Sequence, residues 1–123
     1  MAPQIRKNVL IVDKQPKELA YLERQLMMAG FAVRYTRTGA GAIRNVEERA
    51  PDVMIIEIDL SDMSGTDVVK TIRENAARAR TPIIAISVLP HMKDRCFDVG
   101  CDEFMQKPLK VLDLVARARK LSR

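Results

Sequence analysis

Pro51-Asp52-Val53-Met54-Ile55-Ile56-Glu57-Ile58-Asp59 is the stretch on which the fold turns. Val53 to Ile58 is apolar without alternation, the mark of a strand covered on both faces. Pro51 bounds it on one side and the polar Ser61-Asp62-Met63-Ser64-Gly65 on the other. Glu57 is an acid inside this apolar run. Open parallel sheets collect their sites beyond the carboxyl ends of the strands. Glu57 is therefore either a site residue or a strand-end acid turned to water.

The neighbouring segments repeat the pattern. Asn8 to Asp13 is a buried strand ending in an acid, after a polar, basic lead-in over Met1–Lys7. Pro16 suits the first turn of a helix. Leu19, Leu22, Leu26 and Ala29 follow at helical spacing, and Gly30 stops that helix as a C′ residue. Phe31 to Thr36 alternates more and belongs near a sheet edge. Thr38 caps a helix that turns Ala42, Ile43 and Val46 inward.

Gly65 opens a helix lined by Val68, Val69 and Ile72, and Glu74 to Arg80 is a charged end and loop. Pro82 to Ser87 is another buried strand. His91 to Val99 is a short helix closed by Gly100. Asp102 to Met105 is a strand, and Val111, Leu112, Leu114, Val115 and Ala118 mark a last helix. Five strands alternating with five helices imply a parallel sheet covered on both faces, with right-handed crossovers.

Composition narrows the function. The 123 residues suit one domain, and 47% hydrophobic residues supply a core without disulfide or metal. Aromatics are only 4% and Trp is absent, which argues against a stacking platform for single strands. The net charge of +5 permits anionic partners without establishing one. Cys96 and Cys101 read as free core thiols; their spacing from His91 is too wide for a zinc site. No signal peptide and no bilayer-spanning run is evident, so a soluble, reduced, cytoplasmic setting is expected.

Asp13, Glu57, Ser87 and Lys107 each lie at or just past a strand end, so the topology gathers them in one crevice. With them the chain resembles the receiver domains of bacterial two-component response regulators, of the CheY-like, flavodoxin-like fold. The resemblance rests on Val9–Asp13, Pro51–Ile56, Met63 with Gly65, Pro82–Ser87, Gly100–Phe104 and Lys107-Pro108. It implies a (βα)5 doubly wound sheet of order 2-1-3-4-5, one response regulatory domain over 1–123 with an ordered core of about 8–121, and a place in a phosphorelay.

Members of that family carry two adjacent acids that hold Mg²⁺, an Asp that accepts a phosphoryl group, a Ser or Thr, and a Lys. Asp13, Ser87 and Lys107 match. Lys14 stands in place of the second acid, and Glu57 in place of the phosphoacceptor. The usual site sums to a formal −2, which Mg²⁺ neutralises; Asp13 and Glu57 against Lys14 and Lys107 sum to zero. An ammonium donates no oxygen to a metal, so no cofactor is expected and Mg²⁺ binding should be lost or weak. Asp59 and Asp62 are further acids close by. Lys14 is expected to pair with Asp13 or Glu57. Glu is also one methylene longer than Asp, and a shift of about 1 Å can cost about a hundredfold in rate.

Two consequences of the longer acid remain open. Glu57 reaches towards Lys107 or Ser87 and biases the domain to an active-like state, or the site is a relic salt-bridge cluster. Val88 should crowd the mouth. Phe104 matches the aromatic whose rotamer reports the family's switch, and equally reads as core. Met27-Met28 reads as helix packing.

The resemblance makes the face of the fourth helix, fifth strand and fifth helix the surface for a histidine kinase, phosphotransfer protein or effector. Arg34, Arg37, Arg117 and Arg119 are candidate contacts for an anionic nucleotide such as a cyclic dinucleotide, with Arg78 and Arg80 as further ones. No DNA-reading module or membrane association is expected, and no enzyme. The expected function is a pseudo-receiver that signals by protein interaction; the alternatives are a phosphoacceptor using Glu57, or a nucleotide sensor.

Overall fold

The computed structural model describes residues 6–15 and 19–122. Most of the lead-in over Met1–Lys7, the helix-opening Pro16 and the terminal Arg123 lie outside the described residues. The strands are β1 (Lys7–Val12), β2 (Phe31–Thr36), β3 (Val53–Glu57), β4 (Ile83–Ser87) and β5 (Glu103–Gln106). The helices are α1 (Ala20–Met28), α2 (Gly39–Glu48), α3 (Gly65–Glu74), α4 (Lys93–Val99) and α5 (Val111–Leu121), with a 3₁₀ turn at Pro90–Met92 before α4. All strand pairs are parallel, in the order β2-β1-β3-β4-β5. This is the order and fold the resemblance implies.

Strand alternation divides the core into two layers. Leu10, Val12, Met54, Ile56, Ile83 and Ala85 pack with Ala42, Val46, Val68, Val69, Ile72 and Cys96 under α2, α3 and α4. Val9, Ile11, Val53, Ile55, Ile84 and Ile86 pack with Leu22, Leu26, Leu114 and Ala118 under α1 and α5. All five residues of β3 are buried. Each such aliphatic side chain gains roughly 1.5–3 kcal/mol over exposure, which is why the run lacks alternation. β2 is one of the two edge strands, with only Phe31 buried.

Two polar groups act as anchors. Asp52 Oδ2 accepts from the Asn8 N–H at 2.6 Å, fixing β3 beside β1 at its start. Asp62 accepts from the Gly39 and Ala40 N–H groups, at 2.8 and 3.0 Å. These are free donors at the start of α2, and their hydrogen bonds lower the Asp62 pKa. Asp62 thus caps a helix and is spent as a source of negative charge for the crevice. Thr38 caps the same helix, its hydroxyl accepting from the Gly41 N–H.

One packing expectation is corrected. Met27 and Met28 are 56% and 75% exposed, because the inward face of α1 is taken by Leu22 and Leu26. The last helix forms as read over Val111–Leu121, with Leu114, Val115 and Ala118 buried and Leu112 66% exposed. Both cysteines are buried and free, as read. Burial raises both thiols, Cys101 to about 12, so neither is a ready nucleophile.

Gly65 sits where β3 hands over to α3. A Cβ there would lie 2.7 Å from the Glu57 carbonyl oxygen and 2.8 Å from Ile58 Cα, both backbone atoms that cannot swing away. Gly65→Ala is expected to cost about 1–3 kcal/mol, read as a lower urea midpoint with Glu57 and Ile58 amide shifts. An unchanged midpoint would contradict this account of the close approach.

Candidate functional site

Alternation explains which polar groups meet. Asp13 continues the Val9, Ile11 side of β1, Glu57 the Val53, Ile55 side of β3, and Lys107 the Met105 side of β5. The ladder extends far enough to hold them: the Asp13 N–H donates to Thr36 O, and the Lys107 N–H to Ser87 O. Three side chains from three strands therefore share one side of the sheet. Ser87 falls on the opposite side, with Ile83 and Ala85. Its hydroxyl accepts from the Leu89 N–H at 3.0 Å.

Lys107 is the centre of the cluster. Its Nζ lies 2.7 Å from Glu57 Oε2 and 3.6 Å from Asp13 Oδ2. Asp13 and Glu57 are 2% and 4% exposed. Asp13 Oδ1 accepts from the Gln15 N–H at 2.8 Å. The two oxygens facing Lys107 have no hydrogen-bond donor aligned on them, so the contact is an ion pair whose angles are poor. Of the two partners offered to Glu57 by the sequence, it takes Lys107.

The protonation balance follows. Burial pushes the Glu57 carboxyl up; Lys107 pulls it back, and burial wins. Burial acts to lower Lys107, but the close Glu57 carboxylate and the charge of Asp13 outweigh it, leaving Lys107 raised. The cation is thus firmly held, and Glu57 is the member that protonates more readily than a free glutamate.

Lys14 does not join this group. It lies in the bend after β1, and its Nζ lies 2.7 Å from Asp59 Oδ2. That contact raises the Lys14 pKa. The expected pairing with Asp13 or Glu57 is therefore corrected: Lys107 bridges those acids, and Lys14 ties the β1–α1 loop to the loop after β3. Both partners of the Lys14–Asp59 pair reach solvent, so it adds little stability.

Val88 is 56% exposed and Leu89 44%, forming an apolar lip after β4. Phe104 is half-buried against the α2–α3–α4 layer, which fits its core reading. Pro108 follows Lys107 beside Leu19, Tyr21 and Leu22 of the α1 side.

The four candidate anion contacts do not converge. Arg34 donates to the Arg49 carbonyl. Arg37 is exposed, just past the carboxyl end of β2. Arg117 pairs with Glu103 and Asp113. Arg119 lines a hollow with Lys7, Phe31 and Ser122. Sequence reasoning missed the exposed α1 face with Tyr21, Met27 and Met28, because apolar residues on both faces of a helix blur its periodicity.

Residues 9–119 match the family of response regulator receiver domains. The chain belongs to that family. Among curated relatives, the receiver is 35% identical over 113 residues to the transcriptional regulatory protein KdpE of Mycobacterium tuberculosis, covering 90% of this chain and 49% of that protein. It is 35% identical over 118 residues to the transcriptional regulatory protein PrrA of Mycobacterium leprae, covering 94% and 50%. The receiver thus spans about half the length of these relatives.

The fold also matches the chemotaxis response regulator CheY4 of Vibrio cholerae, with a TM-score of 0.86, 24% identity, and 95% and 99% of the two chains covered. A further match is the receiver of the sensor histidine kinase PA1611 of Pseudomonas aeruginosa, solved with magnesium coordinated in its active site cleft. Its TM-score is 0.86 and its identity 23%, over 96% and 98% of the two chains.

Such domains serve two-component signalling and interact with kinases and effectors, which makes the donor set the point to test against Mg²⁺. The ion takes near-octahedral oxygen ligation. Asp13 and Glu57 offer oxygens, but the ones that converge already face an ammonium at 2.7 and 3.6 Å. Among the described residues no three His, Cys, Asp or Glu side chains gather as a metal-holding group. The residues present do not fit the ion.

Lys107→Met removes the cation and leaves two buried carboxylates. The expected cost is about 2–4 kcal/mol at neutral pH, less than for a fully enclosed pair because Lys107 reaches solvent. The sign with pH is fixed: a raised Glu57 pKa adds stability below the ordinary value of 4.5 and loses it as pH rises through the folded value. The cost of Lys107→Met should therefore shrink as pH falls and Glu57 takes up a proton. Urea unfolding at pH 7.5 and pH 4.5 checks this; an equal cost at both would contradict it.

Proposed function

We propose that this receiver is a pseudo-receiver, signalling through protein contacts without Mg²⁺-dependent phosphorylation. The observation that carries the reading is the Lys107 ammonium seated on Glu57 and Asp13. Phosphoryl transfer relies on positioning and on charge stabilisation by metal. Here Glu57, in the phosphoacceptor place, is longer than Asp, buried, and already paired. The second acid of the metal site is Lys14, which is committed to Asp59. Three acids against two lysines leave the crevice near neutrality without a divalent ion.

Glu57 bound to Lys107 makes the contact a phosphoryl group would otherwise make, which favours a fixed state over a switched one. Its output surface is the face of α4, β5 and α5, where Phe97 is 41% and Leu112 66% exposed. The partner is a kinase, phosphotransfer or effector protein that buries these side chains. All five helices pack on the sheet, and no direct DNA contact is part of the proposed role. Two buried free thiols suit a reducing, cytoplasmic compartment.

The test is amide NMR with Mg²⁺ and beryllofluoride, a phosphoryl mimic. The native chain is expected to show no saturable shifts at Glu57, Ser87 and Lys107, whereas Lys14→Asp with Glu57→Asp should respond at millimolar Mg²⁺. Large saturable shifts in the native chain would establish a working phosphoacceptor instead.

A further inference from the structure

α1 carries two apolar faces. Leu22 and Leu26 turn to the core. On the other side Ala20, Tyr21, Arg24, Met27 and Met28 are all exposed. Their spacing puts these residues on one stripe of a 3.6-residue helix, with Arg24 in the middle and apolar side chains around it. Ala20, Glu23, Arg24, Met27 and Met28 line a shallow hollow in this surface. Tyr21, Met27 and Met28 are three of the seven large hydrophobic side chains that stand exposed among the described residues. Concentrated on one short helix, they mark a contact surface rather than scattered exposure.

The stripe is complementary to itself. Helical spacing puts Ala20 and Met27 on one edge of it, and Tyr21 and Met28 on the other. A two-fold axis beside Arg24, across an antiparallel helix pair, reverses the order along the helix and keeps each residue on its edge. It sets Ala20 against Met27 of a second copy, small against large. It sets Tyr21 against Met28 of that copy, a sulfur–aromatic contact. Glu23 lies on the Ala20 edge, so each Arg24 guanidinium can turn from its counterpart to Glu23 of the other copy. Among the described residues neither Glu23 nor Arg24 is held in an ion pair. A parallel pair would instead leave the two arginines face to face, with the glutamates on opposite edges.

We infer that the outer face of α1 binds a second copy of this receiver, as a two-fold antiparallel helix pair centred on Arg24. The contact is separate from the crevice and from the α4–β5–α5 face, and it does not depend on the function proposed above. A helix of nine residues cannot cover the ~800 Å² per partner that stable complexes bury. The pair is therefore transient, half-formed at chain concentrations on the order of 0.1–1 mM. Receivers held close together by a shared partner reach such effective concentrations, so the contact acts where copies are already gathered.

Sedimentation velocity and amide NMR shifts of the 123-residue chain, from about 20 µM to 2 mM, test this. Concentration-dependent shifts should fall on residues 20–28 and spare α4, β5 and α5. Arg24→Glu and Glu23→Arg each put like charges on one edge, and each should weaken the dimer roughly tenfold or more. The chain carrying both substitutions restores the opposition of charge and should return to within about threefold of the native affinity. Met28→Ala removes the sulfur–aromatic contact and should weaken the dimer with the urea midpoint unchanged; it also serves if a charge variant does not fold. A chain that stays monomeric at about 2 mM, concentration-dependent shifts on the α4–β5–α5 face instead of α1, or a double charge swap that fails to recover the dimer overturns the inference.

Discussion

The ammonium of Lys107 lies between two carboxylates that are almost wholly removed from water, and the upper end of this sheet is organised around that fact. An isolated buried carboxylate carries a desolvation cost of several kcal/mol. Two of them, side by side on neighbouring parallel strands, persist as ions only with a cation between them. β1 and β3 bring Asp13 and Glu57 together; β5, two strands from β3, must end where Lys107 can reach both. Strand order and charge are thus one constraint. A different order or a shorter β5 would leave the acids unpaired.

The two lysines divide the work in a way that charge counting does not show. Lys14 stands in place of a metal-holding acid, and Lys107 matches the lysine that the family carries. Lys107 continues the acids' side of the sheet, whereas Lys14, in the bend after β1, is taken by Asp59 on the loop after β3. The inner pair is buried and sets protonation. The outer pair is exposed and links loops. Asp62 and Gly39 hold the loop after β3 from a third direction. The crevice is therefore walled by short local contacts rather than left open around a vacant ion position.

Much of this was legible in the residues. Val53–Glu57 announced a central strand by its unbroken apolar run, and Gly30 and Gly100 marked helix ends through the backbone angles they alone take easily. The gathering of Asp13, Glu57 and Lys107 followed from parallel topology. What stayed hidden is what depends on direction at single-residue precision. Lys14 was assigned the wrong acid because strand-end side chains were treated as pointing to a common place. The exposure of Met27 and Met28 is not legible because hydrophobicity does not say which side of a short helix is covered when both carry apolar residues. The four arginines suggested as an anion site are spread by the fold over separate surfaces.

The most direct test of a crevice neutralised from within is the ionisation of Glu57 itself, followed through its side-chain carboxyl carbon by ¹³C NMR over pH, with and without millimolar Mg²⁺. An internally paired, desolvated carboxylate should titrate above the ordinary value of 4.5 and keep the same midpoint when Mg²⁺ is added. A midpoint that falls on adding Mg²⁺ would mean that a divalent ion competes successfully with Lys107, and would contradict the account.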